Sequence, residues 1–268
     1  MKRFFSVVIL TLVVVSLVTG VGKANEVLRV GATPVPHAEI LEFIRPLLLE
    51  QGIELKILEF NDYVQPNLAL AEGELDANFF QHIPYLETFV KDHQLNLTYI
   101  ALVHIEPLGF YSKKIDKISE LPIGALIALP NDPSNGGRAL HLLQENGLIT
   151  LDDSVGLAAT PLDIIKNPLK LKFIELEAAQ LPRSLDDLTG AIINTNYALP
   201  AGLFPLRDAL IIEGSTSPYV NILAVQKKEI DPNLKLLAEI LVSDRVKEFI
   251  IQKYGGAVVP AQSLNLDS

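Results

Sequence analysis

The chain has 268 residues, with 22 Lys and Arg against 32 Asp and Glu, a formal charge of −10 and 49% hydrophobic residues. It contains no cysteine, which excludes disulfide scaffolds, thiolate metal sites, iron–sulfur clusters, cysteine nucleophiles and lipidation at a cysteine. The acidic balance argues against a general nucleic-acid binder, which needs a basic surface to displace counterions, and the apolar fraction is too high for a disordered chain.

The first 24 residues read as a separate object. Lys2 and Arg3 precede an apolar run over 4–18, and Gly22 and Ala24 stand at the −3 and −1 positions of a cleavage site. That is the pattern of a secretory signal cut after Ala24. Its loss removes Lys2, Arg3 and Lys23 with no acidic residue and takes the charge from −10 to −13. The alternative is an uncleaved N-terminal anchor, since the run approaches the lower length of a spanning helix. No second stretch is long and apolar enough to span, so the sequence predicts an exported, periplasmic or extracytoplasmic protein.

From residue 26 onward strands and helices alternate. Residues 26–32 read as a strand. Residues 38–51 carry apolar side chains at helical spacing, with Pro46 as a potential kink. A strand over 54–60, a helix over 64–72 stopped at Gly73, a short strand over 75–79, a helix over 83–93 and a strand over 97–103 follow. The pattern restarts after Gly109 with an extended 110–112, a strand over 125–129 and a helix over 135–146. Strands over 171–176, 190–193 and 219–225 and helices over 232–241 and 243–254 complete the chain. Such βα units favour parallel sheets covered on both faces. The predicted organisation is a first lobe over 25–109, a second over 110–218, and a return to the first over 219–268.

No GxGxxG, P-loop, HExxH or GxSxG motif occurs, and His37, His82, His93, His104 and His141 show no ligand spacing. No metal site, cofactor or catalytic constellation is expected. Asp152-Asp153 and Asp186-Asp187 sit beside turn residues and read as solvated charges.

The informative residues cluster where strands are predicted to end, which is where open α/β sheets bind ligands. Asn61 or Asp62 can cap the helix that follows, while Tyr63 can project a ring into a cleft. Phe79, Phe80, His82 and Tyr85 crowd a strand-to-helix junction, and alternation sends Phe79 and Phe80 to opposite sides. In the segment 130–140 a helix start with free N–H groups suits an anion, and Arg138, placed in its first turn, reads either as a bidentate carboxylate partner or as half of a surface ion pair. Asn194 and Asn221 offer uncharged donors and acceptors, or are ordinary caps and turn residues.

Seven stretches, NDYVQPNLAL (61–70), LDANFFQHIPYL (75–86), IEPLGFYSKKI (105–115), PNDPSNGGRAL (130–140), LEAAQLPRSLDD (176–187), IINTNYA (192–198) and SPYVNI (217–222), resemble the NlpA/MetQ family in consistent order across residues 27–260. The resemblance implies an α/β fold of the type II periplasmic-binding-protein kind, two α/β lobes closing on a ligand held in the cleft between them. It implies a non-enzymatic, monomeric substrate-binding protein that takes L-methionine and passes it to an ABC transporter permease with a cytoplasmic ATPase. By the same resemblance Arg138 meets the ligand carboxylate and Asn194 and Asn221 hold its amino and carboxylate ends. Tyr63, Phe80 and His82 form the thioether pocket, with Tyr85 and His104 along the cleft. The family is typically lipidated at a Cys after the signal, whereas this chain reads Leu17-Val18-Thr19-Gly20-Val21-Gly22 there. Another apolar amino acid or a methionine-containing dipeptide, a hydrolase, and a surface adhesin with a vestigial cleft are the alternative functions.

Overall fold

The structure is a computed structural model. It describes residues 26–214 and 217–266, so the expected signal or anchor over 1–24 lies outside the described residues. In chain order the first half holds β1 (Glu26–Ala32), α1 (Glu39–Glu50), β2 (Ile53–Glu59), α2 (Gln65–Glu72), β3 (Ala77–His82), α3 (Ile83–His93), β4 (Leu97–Ile105), β5 (Gly109–Tyr111), β6 (Leu126–Pro130) and α4 (Pro133–Glu145). There follow β7 (Thr150–Leu151), β8 (Ile164–Lys166), β9 (Lys172–Leu176), α5 (Leu181–Ser184), β10 (Gly190–Ile193), α6 (Thr195–Ala198) and α7 (Pro205–Asp208). The chain closes with β11 (Ile211–Ile212), β12 (Val220–Gln226), α8 (Pro232–Leu241), α9 (Asp244–Tyr254) and β13 (Val259–Leu264).

Two sheets organise these elements, one in the order β13-β4-β12-β3-β1-β2 and one in the order β11-β5-β10-β6-β9. Each is the centre of one lobe. The chain passes between the sheets twice, through residues 106–108 between β4 and β5 and again between β11 and β12.

The sheets are mixed, not parallel throughout as the βα pattern suggested. Strands β1, β2 and β3 pair in parallel, whereas β12 is antiparallel to both β3 and β4. The cause is topological. Strand β12 returns from the second lobe and enters between β3 and β4 from the opposite direction. Likewise β6, β9 and β10 are parallel, and β5, arriving from the first lobe, is antiparallel to β10.

Burial follows position in the sheet. Every residue of the central strands β3 and β10 is buried, while the edge strand β2 alternates between buried and exposed at its start. Helix α1 turns Ile40, Leu41, Ile44 and Leu48 inward. Pro46 lies within this continuous helix on its exposed side. One face of the first sheet packs on α1, α8 and α9 through Ile44, Leu237 and Ile250, and the other packs on α2 and α3 through Leu70 and Leu86. In the second lobe α4 covers one face through Leu140 and Leu143, and α5 covers the other through Leu181 and Leu185. No helix among the described residues is long and apolar enough to cross a membrane.

Candidate functional site

The ends of β1, β2, β3 and β4 and the start of the oppositely running β12 lie on one side of the first sheet. They face the ends of β6 and β10. Between them is a narrow cavity of about 20 Å³, partly open to solvent. The first lobe lines it with Tyr63, Phe80, Gln81, His82 and Tyr85, together with Glu106 at the first connection. The second supplies Asn135, Arg138, Asn194, Thr195 and Asn196, and Asn221 enters from β12.

Seven of the eight residues singled out in the sequence therefore meet at this cavity. His104 does not line it. Its Nε2 lies 2.8 Å from Oε1 of Glu106, behind the wall that Glu106 forms. Phe79 and Phe80 do point to opposite sides, Phe79 into the core of the first lobe and Phe80 to a cluster with Tyr85 and Phe89.

The register of β12 explains the polar wall, since Asn221 stands opposite His82 on β3 and His104 on β4. Asn221 Oδ1 is 3.0 Å from Nε2 of His37, whose Nδ1 is 2.7 Å from the Thr33 hydroxyl. Facing the Asn221 oxygen and, at 3.2 Å, the Glu106 carboxylate, that Nε2 carries the proton and donates. Burial pushes the His37 imidazole down to about 4 and that of His104 down to about 3. Both rings are neutral at pH 7, so their contacts with Glu106 are hydrogen bonds and not ion pairs. Burial raises the Glu106 carboxyl, against the opposing pull of His37 and Arg138.

His82 caps α3 by accepting the Tyr85 N–H at 3.2 Å through Nδ1, so its Nε2–H donates across the cleft to Asn135 Oδ1 at 3.0 Å. Burial, with Arg138 nearby, holds this ring down to about 3. Two further hydrogen bonds cross between the lobes. The Tyr63 hydroxyl donates to Asn196 Oδ1 at 2.6 Å, and the Tyr197 hydroxyl donates to the Asn61 carbonyl at 3.0 Å. Asp62 caps the neighbouring helix by accepting the Val64 and Gln65 N–H groups, each at 2.8 Å, which leaves Tyr63 to enter the cleft.

Three sequence expectations are corrected. Helix α4 begins at Pro133, so Arg138 lies in its second turn and not its first. The helix start is not an open anion site, because the Asp132 carboxylate already accepts the Asn135 N–H at 2.8 Å. Arg138 is no surface residue either. It is 3% exposed, donates through Nε to Glu213 Oε1 at 3.0 Å and through Nη2 to Glu213 Oε2, and Nη2 also donates to the Glu106 carbonyl at 2.7 Å. The Nη1 group is the part of its donor fork left over by these contacts. Asn194 occupies the N-cap position of α6 without capping it. Its Nδ2 donates to Asn135 Oδ1 at 2.8 Å instead.

Sequence reasoning missed Glu106, Asn135, Thr195, Asn196 and Gln81 as wall residues, and Glu213 as the partner of Arg138. All five wall residues do lie inside the stretches 75–86, 105–115, 130–140 and 192–198 already set apart. Nothing local distinguishes Glu213.

Two buried polar atoms on residues lining the cavity, Asn194 Oδ1 and Asn196 Nδ2, have no hydrogen-bond partner among the described residues. One is an acceptor and the other a donor. With the Arg138 guanidinium and the Glu106 carboxyl they give the cavity a polar end of both signs, and Tyr63, Phe80 and Tyr85 give it an aromatic end.

The NlpA lipoprotein family model matches residues 28–262. The D-methionine-binding lipoprotein MetQ of Salmonella typhimurium is 43% identical over 236 residues, covering 87% of each chain. A nutrient binding protein from Burkholderia cenocepacia, solved bound to methionine, is 47% identical with a TM-score of 0.84, covering 87% of this chain and 99% of its own. An ABC transporter periplasmic substrate-binding protein from Coxiella burnetii is 45% identical with a TM-score of 0.83, covering 87% and 100%. Family match, sequence identity and shared architecture agree over nearly all the described residues: the chain belongs to the NlpA lipoprotein family.

Proposed function

We propose that this chain is an extracytoplasmic substrate-binding protein that captures methionine as a zwitterion and delivers it, as a monomer and without chemical change, to the permease of an ABC transporter driven by a cytoplasmic ATPase. The observation that carries this reading is the pair of orphaned amide atoms, Asn194 Oδ1 and Asn196 Nδ2, beside an arginine and a carboxyl group at the polar end of an aromatic cavity. An α-amino acid supplies the complementary groups. Its carboxylate takes the Arg138 Nη1 and Asn196 Nδ2 donors together with the Asn221 amide. Its ammonium takes Asn194 Oδ1 and the Glu106 carboxylate. A thioether lies against Tyr63, Phe80, His82 and Tyr85, where each sulfur–ring contact contributes about 0.3–1.5 kcal/mol. The names of the relatives support the same ligand and the transport context. The sequence has no cysteine to acylate, so the protein acts either free outside the cytoplasm or held by its N-terminal segment.

Titration calorimetry with methionine tests this. The wild-type protein binds, and Arg138→Ala binds about ten- to a hundredfold more weakly, because a hydrogen bond to a charged group contributes about 1.5–3 kcal/mol. His82→Ala loses less. Absence of heat and of thermal stabilisation by methionine refutes the reading.

A further inference from the structure

Glu213 does not itself line the cavity, yet its side chain is only 13% exposed and both of its carboxylate oxygens accept from the Arg138 guanidinium, which does line it. Its Oε1 accepts from Arg138 Nε at 3.0 Å and from the Ser217 hydroxyl at 3.3 Å. Its Oε2 accepts from Arg138 Nη2 and from the Leu108 N–H at 3.3 Å, and its own N–H donates to the Leu108 carbonyl at 2.9 Å. Leu108 lies on the first connection between the lobes, and Glu213 and Ser217 lie on the second. The Arg138 guanidinium also stacks over the Tyr219 ring at 4.3 Å, at the end of that second connection.

We infer that Glu213 is a positioning residue for ligand capture, fixing the Arg138 guanidinium and fastening it to both connections between the lobes. The inference rests on the proposed binding of an amino-acid carboxylate at Arg138. A buried guanidinium needs a paired anion, or its desolvation goes uncompensated. A bidentate carboxylate also sets the plane of the fork, so the Nη1 donors left over are aimed before the ligand arrives, and ordering them is not charged to binding. Because the same carboxylate holds the Leu108 N–H, a shift of Arg138 on meeting the ligand is felt at the connections about which the lobes move. The competing possibility is that Glu213 only neutralises Arg138 and weakens its hold on a carboxylate. That predicts the opposite sign on removal.

The test is a double-mutant cycle on the full chain, read as methionine Kd by calorimetry, with circular dichroism and thermal melting to verify folding. Glu213→Gln keeps the size and removes the charge, and its Kd rises about ten- to a hundredfold. In an Arg138→Lys background, where the fork is gone, the same Glu213→Gln change alters Kd less than about threefold. Should Glu213→Gln fail to fold, Glu213→Asp keeps the charge at shorter reach and shows the same dependence on Arg138. Equal or tighter binding by Glu213→Gln overturns the inference, and so does an equal loss in both backgrounds, which marks a merely structural role. A wild-type protein that ignores methionine overturns the proposed function, and this inference with it.

Discussion

Acidification is the perturbation whose consequence can be worked furthest from the structure. His37, His82 and His104 are buried, and burial holds them at about 4, about 3 and about 3, against an ordinary value of 6.5. The unfolded chain takes up a proton on each near pH 6.5 and the folded chain does not. Stability contributed by the neutral rings is therefore fully present above pH 6.5 and is lost as the pH falls toward the folded values. Between pH 7 and pH 4.5 each ring accounts for a loss of about 3 kcal/mol, at 1.36 kcal/mol per unit of separation. Two groups work the other way. Burial raises the Glu106 and Asp132 carboxyls, so the folded protein takes up those protons first and regains part of the loss. The expected net effect is a fall of several kcal/mol between pH 6.5 and 4.5, a large share of the roughly 5–15 kcal/mol of a typical domain. Urea denaturation across this range measures it. The wild-type curve steepens to an uptake of more than one proton on unfolding, and His104→Gln, which keeps a donor toward Glu106, lowers that uptake by about one. An uptake of one proton or fewer throughout, or titration of these three imidazoles near pH 6.5 by NMR, refutes the reasoning.

Tyr63→Phe deletes the hydroxyl that donates across the cleft to Asn196 at 2.6 Å and keeps the ring. One hydrogen bond of about 1 kcal/mol is lost from the closed arrangement, so methionine affinity falls about fivefold by calorimetry. Gly137→Ala tests the seat of Arg138. A Cβ at Gly137 would come within 2.0 Å of the Leu157 carbonyl oxygen and 2.8 Å of the Ala159 nitrogen, both backbone. Helix α4 must shift, at about 1–3 kcal/mol, which outweighs the roughly 1 kcal/mol that alanine gains over glycine in a helix. The variant melts at lower temperature and binds methionine more weakly, and a variant as stable as the wild type contradicts this packing.

The parts of the fold that were legible in sequence are those whose signal is local. Helix α8 was predicted over its observed span, because a proline start and apolar spacing are written in adjacent residues. Strand β3 shows where this fails. The sequence predicts a short strand over 75–79, yet β3 runs from Ala77 to His82 with every residue buried, its polar Asn78, Gln81 and His82 included. The burial is permitted by a partner from elsewhere in the chain. Asn67 of α2 accepts from Asn78 at 2.8 Å and from Gln81 at 2.7 Å and donates back to Gln81 at 2.8 Å. Strands β7, β8 and β11, at two or three residues each, exist only through pairing that no local pattern encodes. The same distinction divides the site. Arg138 stood out as a charge among turn residues, whereas Glu106 reads as an ordinary acid after a strand until His37 and His104 are brought against it.

The contrast between two sets of buried amides supports the proposed binding site better than any single residue does. Asn67, Asn78 and Gln81 satisfy one another in a closed network inside the first lobe, with Asn78 also donating to the Pro66 carbonyl at 3.0 Å. Asn194 and Asn196, equally polar and nearly as buried, each leave one atom unpaired on a cavity-lining residue. An unpaired buried polar atom costs about 1–3 kcal/mol. Both residues belong to the second lobe, and Asn196 accepts a hydrogen bond that crosses the cleft while Asn194 donates to Asn135, which accepts one from His82. Opening the lobes lets water reach these atoms and relieves the cost. In the closed arrangement a bound group carrying both a donor and an acceptor would pair them. On the proposed function a zwitterion would therefore stabilise the closed form more than the open one, and that differential affinity is what a closing binding protein requires.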